Sequence, residues 1–194
     1  VRGTSGAVRI LNRIAQITEE GVEYEADQRH PEIICRDVGL KMESSPVSTP
    51  GVQSPVITSK EEVMNETMYR AVVARGNYLS QDRPDVQYTT EGLSRTMSKP
   101  DVESYVRAKR FGRYLVGVPR IVMKYTVQDV PDVLTVWVDT DCAGCQVTRK
   151  STSGGVAMLG NHCLKTWSST QEVVALSSGE AELYGIVKGA TYAI

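Results

Sequence analysis

The hydrophobic pattern of this chain changes from helical spacing to a period of two at Leu134, and that change limits the folds open to it. From 61 to 125 the apolar residues recur at helical spacing. E-E-V-M-N-E-T-M-Y-R-A-V-V-A-R-G-N-Y-L places acids in a first turn and an apolar face behind them. Arg83-Pro84-Asp85 and Lys99-Pro100-Asp101 are stop-and-restart signals, because proline suits the first position of a helix and not its interior. Between Val102 and Val116 the apolar or small residues 105, 108, 112, 115 and 116 share a face. From Leu134 the period is two: Leu134, Val136 and Val138 take one side, and Thr135, Trp137, Asp139 and Asp141 the other. Gly-rich and polar turns then separate two further short strands, S-T-S-G-G-V-A-M-L-G and N-H-C-L-K-T-W-S. Ser177-S-G-Glu180 reads as a capping box. It opens a last helix whose apolar stripe is Leu183, Ile186, Val187, Ala190 and Ile194.

Before residue 61 the signals are weaker. Ile10 to Ile17 is apolar-rich, V-E-Y-E-A at 22–26 alternates like a strand, and Asp27 is placed to cap a helix carrying Ile33, Ile34, Val38 and Leu40. E-S-S-P-V-S-T-P-G-V-Q-S-P at 43–55 has the composition of a linker or an extended strap. The expected organisation is 1–43, a β-then-α piece; 44–60, a linker; 61–125, a helical segment; and 126–194, a three-stranded antiparallel meander followed by one helix. The class is α+β or α/β.

The 194 residues are 41% hydrophobic and 23% charged, with a net charge of -1, so any surface for nucleic acid must be local rather than global. No run approaches the ~18 apolar residues of a membrane span. The local candidate is 104–128, which holds Arg107, Lys109, Arg110, Arg113, Arg120 and Lys124 and no acid. Arg107, Arg110 and Arg113 share a helix face that suits phosphates or, equally, open solvent. Cys142-A-G-Cys145 with His162-Cys163 has zinc-like ingredients. Neighbours in a strand point to opposite sides, however, so small buried or turn residues are the preferred reading.

Asp139 and Asp141 end the first strand of the meander, and Glu182 lies one turn into the last helix. Taken singly, each reads as a turn acid or a helix-start acid that favours the dipole. Taken together at one sheet margin, three carboxylates repel unless a cation holds them. Oxygen-only ligands suit Mg²⁺ or Mn²⁺.

The same residues carry a family likeness. V-D-T-D-C-A-G, R-K-S-T-S-G-G and V-A-L-S-S-G-E-A-E-L-Y resemble the ribonuclease H region of Ty1/copia-type retrotransposon Pol polyproteins. Upstream, P-V-S-T-P, Y-R-A-V-V-A-R-G-N-Y-L-S-Q-D-R-P-D-V-Q-Y, L-S-R-T-M-S-K-P and A-K-R-F-G-R-Y-L-V-G resemble the segment joining reverse transcriptase to that region. The resemblance implies a helical connection followed by part of a ribonuclease H-like fold, with 1–43 as the polymerase tail. It implies cleavage of the RNA strand of an RNA–DNA hybrid with two divalent ions, Mg²⁺ or Mn²⁺. By motif, Asp139 matches the first catalytic aspartate and Glu182 the catalytic glutamate. Asp141 matches a further acid of the metal site. Arg149, Lys150, Ser151 and Thr152 match a stretch that contacts the hybrid backbone or forms a polar hairpin turn.

Three departures weaken the match: Cys142 for a usual Trp, Ser169 and Thr170 for two basic residues, and Gly179 for a Thr. The family's third catalytic aspartate is expected beyond residue 194, which leaves this chain with little activity alone. The expected partners are the hybrid and the remainder of Pol, with no membrane and no small-molecule substrate. The expected location is cytoplasmic particles, then the nucleus. The competing expectation is a non-catalytic nucleic-acid-binding or connecting module, a decayed transposon remnant.

Overall fold

The computed structural model describes residues 6–41, 43–52 and 65–193. Positions 53–64, which include the expected helix start and most of the second half of the linker, lie outside these. The chain is α+β, with seven strands and five α-helices among the described residues. It divides into two compact units, Val1–Ile17 with Glu23–Met123, and Thr18–Val22 with Lys124–Ile194. No helix among the described residues is long and apolar enough to cross a membrane.

In the first unit, β1 (Gly6–Ile10) and β2 (Arg13–Thr18) form an antiparallel hairpin running from Gly6 opposite Ile17 to Ile10 opposite Arg13. Leu11 and Asn12 close it with φ of 50° and 64°. This is the doubly left-handed two-residue turn whose twist suits a hairpin. The sheet continues through β3 (Gly21–Glu25) to β4 (Val122–Thr126) in the order β1-β2-β3-β4. The helical segment expected to reach 125 therefore ends earlier. Val122 to Thr126 alternates exposed and half-buried, which is a strand's period.

Four helices follow their local signals. α1 (Arg29–Asp37) starts beside Asp27, whose carboxylate accepts from the Arg29 amide at 3.0 Å. α2 (Glu66–Leu79) is capped by the Asn65 side chain. A 3₁₀ turn at Pro84–Val86 leads into α3 (Gln87–Ser94). Asp101 and Ser104 form a reciprocal capping box at the start of α4 (Val102–Gly117). Ile34, Cys35 and Val38 of α1 share one apolar core with Tyr69, Val72, Val73 and Leu79 of α2 and Tyr105, Ala108, Phe111 and Leu115 of α4. α1 thus buries its apolar face against the helices that follow it. Burial pushes the Cys35 thiol up to about 11, and it donates to the Gly112 carbonyl.

Arg83 lies inside this unit, 1% exposed. Its Nε and Nη2 grip both oxygens of Asp85 at 2.9 and 2.7 Å, and Nη2 and Nη1 donate to the carbonyls of Val118 and Pro119. The Tyr114 hydroxyl donates to Asp85 as well. Close by in sequence to these carbonyls, Arg120 holds the buried Glu25 carboxylate through two hydrogen bonds, 2.5 and 2.7 Å.

The second unit contains the meander: β5 (Leu134–Thr140), β6 (Thr152–Leu159) and β7 (His162–Thr170), in the order β5-β6-β7 and antiparallel throughout. Val136 faces Ala157, Asp139 faces Gly154, and a bulge interrupts β6 at Ala157–Met158. α5 (Ser178–Thr191) completes it. The side of α5 that meets the sheet is not the expected one. Ala181, Gly185 and Gly189 are buried, while Leu183, Ile186 and Val187 are 55–58% exposed. The reason is distance. A Cβ on Gly185 would overlap the Thr140 hydroxyl, and one on Gly189 would stand 2.6 Å from a Val138 methyl. Only residues of this size let the helix sit so close.

Two outcomes test the first unit. Asp85→Ala leaves a buried guanidinium without its counter-charge and is expected to cost about 3–5 kcal/mol in chemical denaturation. Arg95→Ala, which removes a partly exposed i,i+4 pair with Glu91, is expected to cost less than about 1 kcal/mol. The second outcome concerns pH. Hydrogen bonding from Arg120 holds Glu25 below the usual carboxylate range, against the opposing effect of burial. That contribution is complete above the unfolded value of roughly 4.3 and is lost as pH falls through the lower folded value. Thermal scans at falling pH should show apparent Tm dropping below about pH 4.3, with a shallower drop in Glu25→Gln.

Candidate functional site

The first strand of the meander delivers its two acids to different environments. Asp139 is exposed near the end of β5. Its side chain makes no hydrogen bond or ion pair with any described residue. Asp141 is half-buried and already engaged. Its Oδ1 accepts from the amides of Thr152 (2.8 Å) and Gly144 (3.2 Å), and its own amide donates to the Thr152 carbonyl. A short acid receiving two amides is an organiser of the turn that follows it.

That turn spans 141–152. Ser151 is fully buried, and its hydroxyl accepts from the Ala143 amide at 2.9 Å. Thr152 is 5% exposed. Of the four residues matched to backbone contact, these two are therefore interior. Arg149 is exposed with φ of 57°, its amide bonded to the Cys145 carbonyl. Lys150 is half-exposed. The turn spends Ser151 and Thr152 on its own hydrogen bonds and presents Arg149 and Lys150 outward.

Glu182 is half-buried on the flank of α5 and also lacks a side-chain partner among the described residues. Gly189 lies over Val136 and Val138, and Gly185 over Thr140. α5 thus runs antiparallel to β5, and Glu182, one turn earlier, lies level with the acidic end of the strand. The face of β5 covered by α5 carries Val136, Val138 and Thr140. By the two-residue period, Asp139 projects from the other face. The two carboxylates therefore share an end of the sheet but issue from opposite sides of its plane. Among the described residues, no group of three or more His, Cys, Asp or Glu side chains is arranged to hold a metal ion. Among the described residues, Asp139 and Glu182 are therefore at most part of a ligand set for a divalent cation.

The residue that joins these parts is Gln171, which the sequence reading did not single out. It is 9% exposed. Its amide donates to the Ser151 carbonyl, and its Nε2 donates to Ser153 Oγ (2.9 Å) and to the Ala181 carbonyl (2.8 Å). It links the end of β7 to the start of β6 and the first turn of α5. The signal was available as a polar residue between a strand and a cap. The capping box of α5 is half as expected. Ser177 accepts from the Glu180 amide, but Glu180 reaches back one residue further, to the Leu176 amide.

The arginine stripe on α4 is also partly engaged. Arg107 pairs with Glu103 at i,i+4. Arg110 donates to the Thr49 hydroxyl (2.7 Å) and Arg113 to the Ser45 carbonyl (2.8 Å). The 44–52 part of the expected linker is thus a strap tied to that helix.

The chain is 35% identical over 143 residues, 72% of its length, to a retrovirus-related Pol polyprotein from transposon RE1 of Arabidopsis thaliana. It is 28% identical over 148 residues to the corresponding polyprotein of transposon TNT 1-94 from Nicotiana tabacum, again covering 72% of the chain. The chain belongs to the Pol polyproteins of copia-type retrotransposons. It covers 10% and 11% of the lengths of these two Pol polyproteins. An uncharacterised mitochondrial protein of Arabidopsis thaliana is 29% identical over 157 residues, 79% of this chain and 64% of that protein. No family model matches, and no solved structure matches.

The two aspartates of this Pol segment should respond differently to substitution. Asp141→Ala removes a charged acceptor from two amides and is expected to cost about 1.5–3 kcal/mol. Asp139→Asn is expected to change stability by less than about 0.5 kcal/mol. Urea unfolding of both variants measures the difference.

Proposed function

We propose that this segment of a copia-type Pol polyprotein comprises the end of the polymerase region, the connection, and the first part of a ribonuclease H domain. In the complete polyprotein that domain cleaves the RNA strand of RNA–DNA hybrids. The supporting observation is a three-stranded antiparallel meander followed by a helix, with Asp139 and Glu182, which have no side-chain partner among the described residues, at one end of the sheet. Mg²⁺ or Mn²⁺ would supply charge neutralisation and an activated water in such a domain. By motif Asp139 and Glu182 would each contribute one carboxylate to that role from their two sides of the sheet end, with further ligands from the rest of Pol, whereas Asp141 serves the turn. Arg149, exposed, and Lys150, half-exposed, would meet hybrid phosphates, and Arg107, Arg110 and Arg113 of α4 would be a second contact. The partners are the hybrid and the rest of Pol, with particles in the cytoplasm, and then the nucleus, as its place of action.

A second reading is favoured by one observation: no three carboxylates converge among the described residues. On that reading the segment connects domains and grips nucleic acid without cutting it.

Both readings expect little cleavage by residues 1–194 alone. With a labelled RNA–DNA hybrid and Mg²⁺, the isolated chain should bind and cut slowly or not at all. In the complete polyprotein, Asp139→Asn and Glu182→Gln should each abolish cutting while leaving hybrid affinity within about threefold, whereas a neutralised Arg149–Lys150 pair should weaken affinity and flatten its salt dependence. Undiminished cleavage in Asp139→Asn polyprotein would leave the connecting-module reading standing. Robust cutting by the isolated chain would show that two acids suffice.

A further inference from the structure

The strap at 43–52 is fixed on both sides of a short exposed stretch. Pro46 packs so tightly on Gly117 that a Cβ there would stand 2.8 Å from the proline ring. Val47 packs against the apolar core. On the other side, Gly51 abuts Thr89, whose hydroxyl lies 2.7 Å from where a Cβ would be. Between these anchors Ser48 and Thr49 are exposed, and Pro50 follows directly. A residue before proline is held extended, and an extended Thr-Pro is the form in which proline-directed kinases accept a hydroxyl.

The partner of that hydroxyl is unusual. Arg110 Nη2 donates to Thr49 Oγ1 at 2.7 Å, a neutral acceptor for a charged fork. Arg110 Nε is buried and donates to no described acceptor. Arg113, one turn further along the same helix face, donates to the Ser45 carbonyl. A guanidinium with an unused buried N–H beside an exposed hydroxyl, and a second guanidinium next to it, matches the bidentate geometry of a phosphate monoester better than that of an alcohol.

We infer that Thr49 is a phosphoacceptor and that Arg110, assisted by Arg113, is the built-in receptor for its phosphate. A Ser/Thr kinase supplies the group from a nucleoside triphosphate. Thr49 Oγ bonds to the γ-phosphorus, the bond from that phosphorus to the β–γ bridging oxygen breaks, the nucleoside diphosphate leaves, and the hydroxyl proton passes to the kinase's base. The product carries about -1.5 to -2 charge, which satisfies the idle Nε and cancels part of the arginine stripe. Ser45 also precedes a proline, but there the arginine holds the main-chain carbonyl and not the hydroxyl.

The test uses the full 194-residue chain, a proline-directed kinase and ATP, read by phosphopeptide mapping and by ³¹P NMR against pH. Thr49 should be modified. Its phosphate should titrate at least about one unit below the ordinary second ionisation near 6. In Arg110→Gln, Thr49 should still be modified, but the phosphate should return toward its ordinary titration. Thr49 left unmodified, an ordinary titration in the parent chain, or a depressed titration that survives Arg110→Gln would each overturn the inference.

Discussion

The helical unit is organised around one buried cation. Arg83 stands in a Pro-terminated turn between two helices, and its guanidinium collects Asp85 from the next turn and the carbonyls of Val118 and Pro119 from the end of α4. Burying a lone charge is prohibitive, so the position is tenable only when the donors are met together. This sets the direction in which the chain leaves α4 and enters β4. The Glu25–Arg120 pair then binds β3 to the residue that follows Pro119. An apolar side chain at 83 could fill the volume, but it could not specify which carbonyls surround it.

Local chemistry was legible where a signal rests on a few neighbouring residues. Arg83-Pro84-Asp85 and Lys99-Pro100-Asp101 do end and restart helices, and Asp101 caps α4 directly. The alternation from Leu134 and the two turns after it give the meander in the expected order. What escaped depends on partners distant in sequence. Val122–Thr126 is too short to show its period, and becomes a strand because β3 offers it an edge. The packing of α1 on α2 and α4 is a matter of which apolar faces meet. Such meetings are not encoded within any window of the sequence.

The orientation of α5 is the clearest misreading and the one that bears most on the site. Periodicity identifies an apolar stripe but not whether bulk or closeness decides which stripe is buried. Here closeness does: Ala181, Gly185 and Gly189 meet the sheet, and the large aliphatics face outward. This places Glu182 on the flank of the helix, level with the acidic end of β5, across the sheet's plane from Asp139. The motifs single out Asp139, Asp141 and Glu182 as candidates and put them at the end of the first meander strand and the start of the last helix. Their sidedness, and the structural use of Asp141, Ser151 and Thr152 as turn residues, required the register of β5 on β6 and the hydrogen bonds of the turn.

The glycines that allow this close approach also carry a cost. Gly185 and Gly189 lie in the interior of Ser178–Thr191, each worth roughly 1 kcal/mol against helix formation relative to alanine. A fourteen-residue segment of that composition is a poor helix by itself. Its coil is therefore conditional on the meander being assembled beneath it. Glu182 acquires a defined position only after β5, β6 and β7 have paired, so a chain caught part-way through folding presents Asp139 on a growing strand but no glutamate set opposite it.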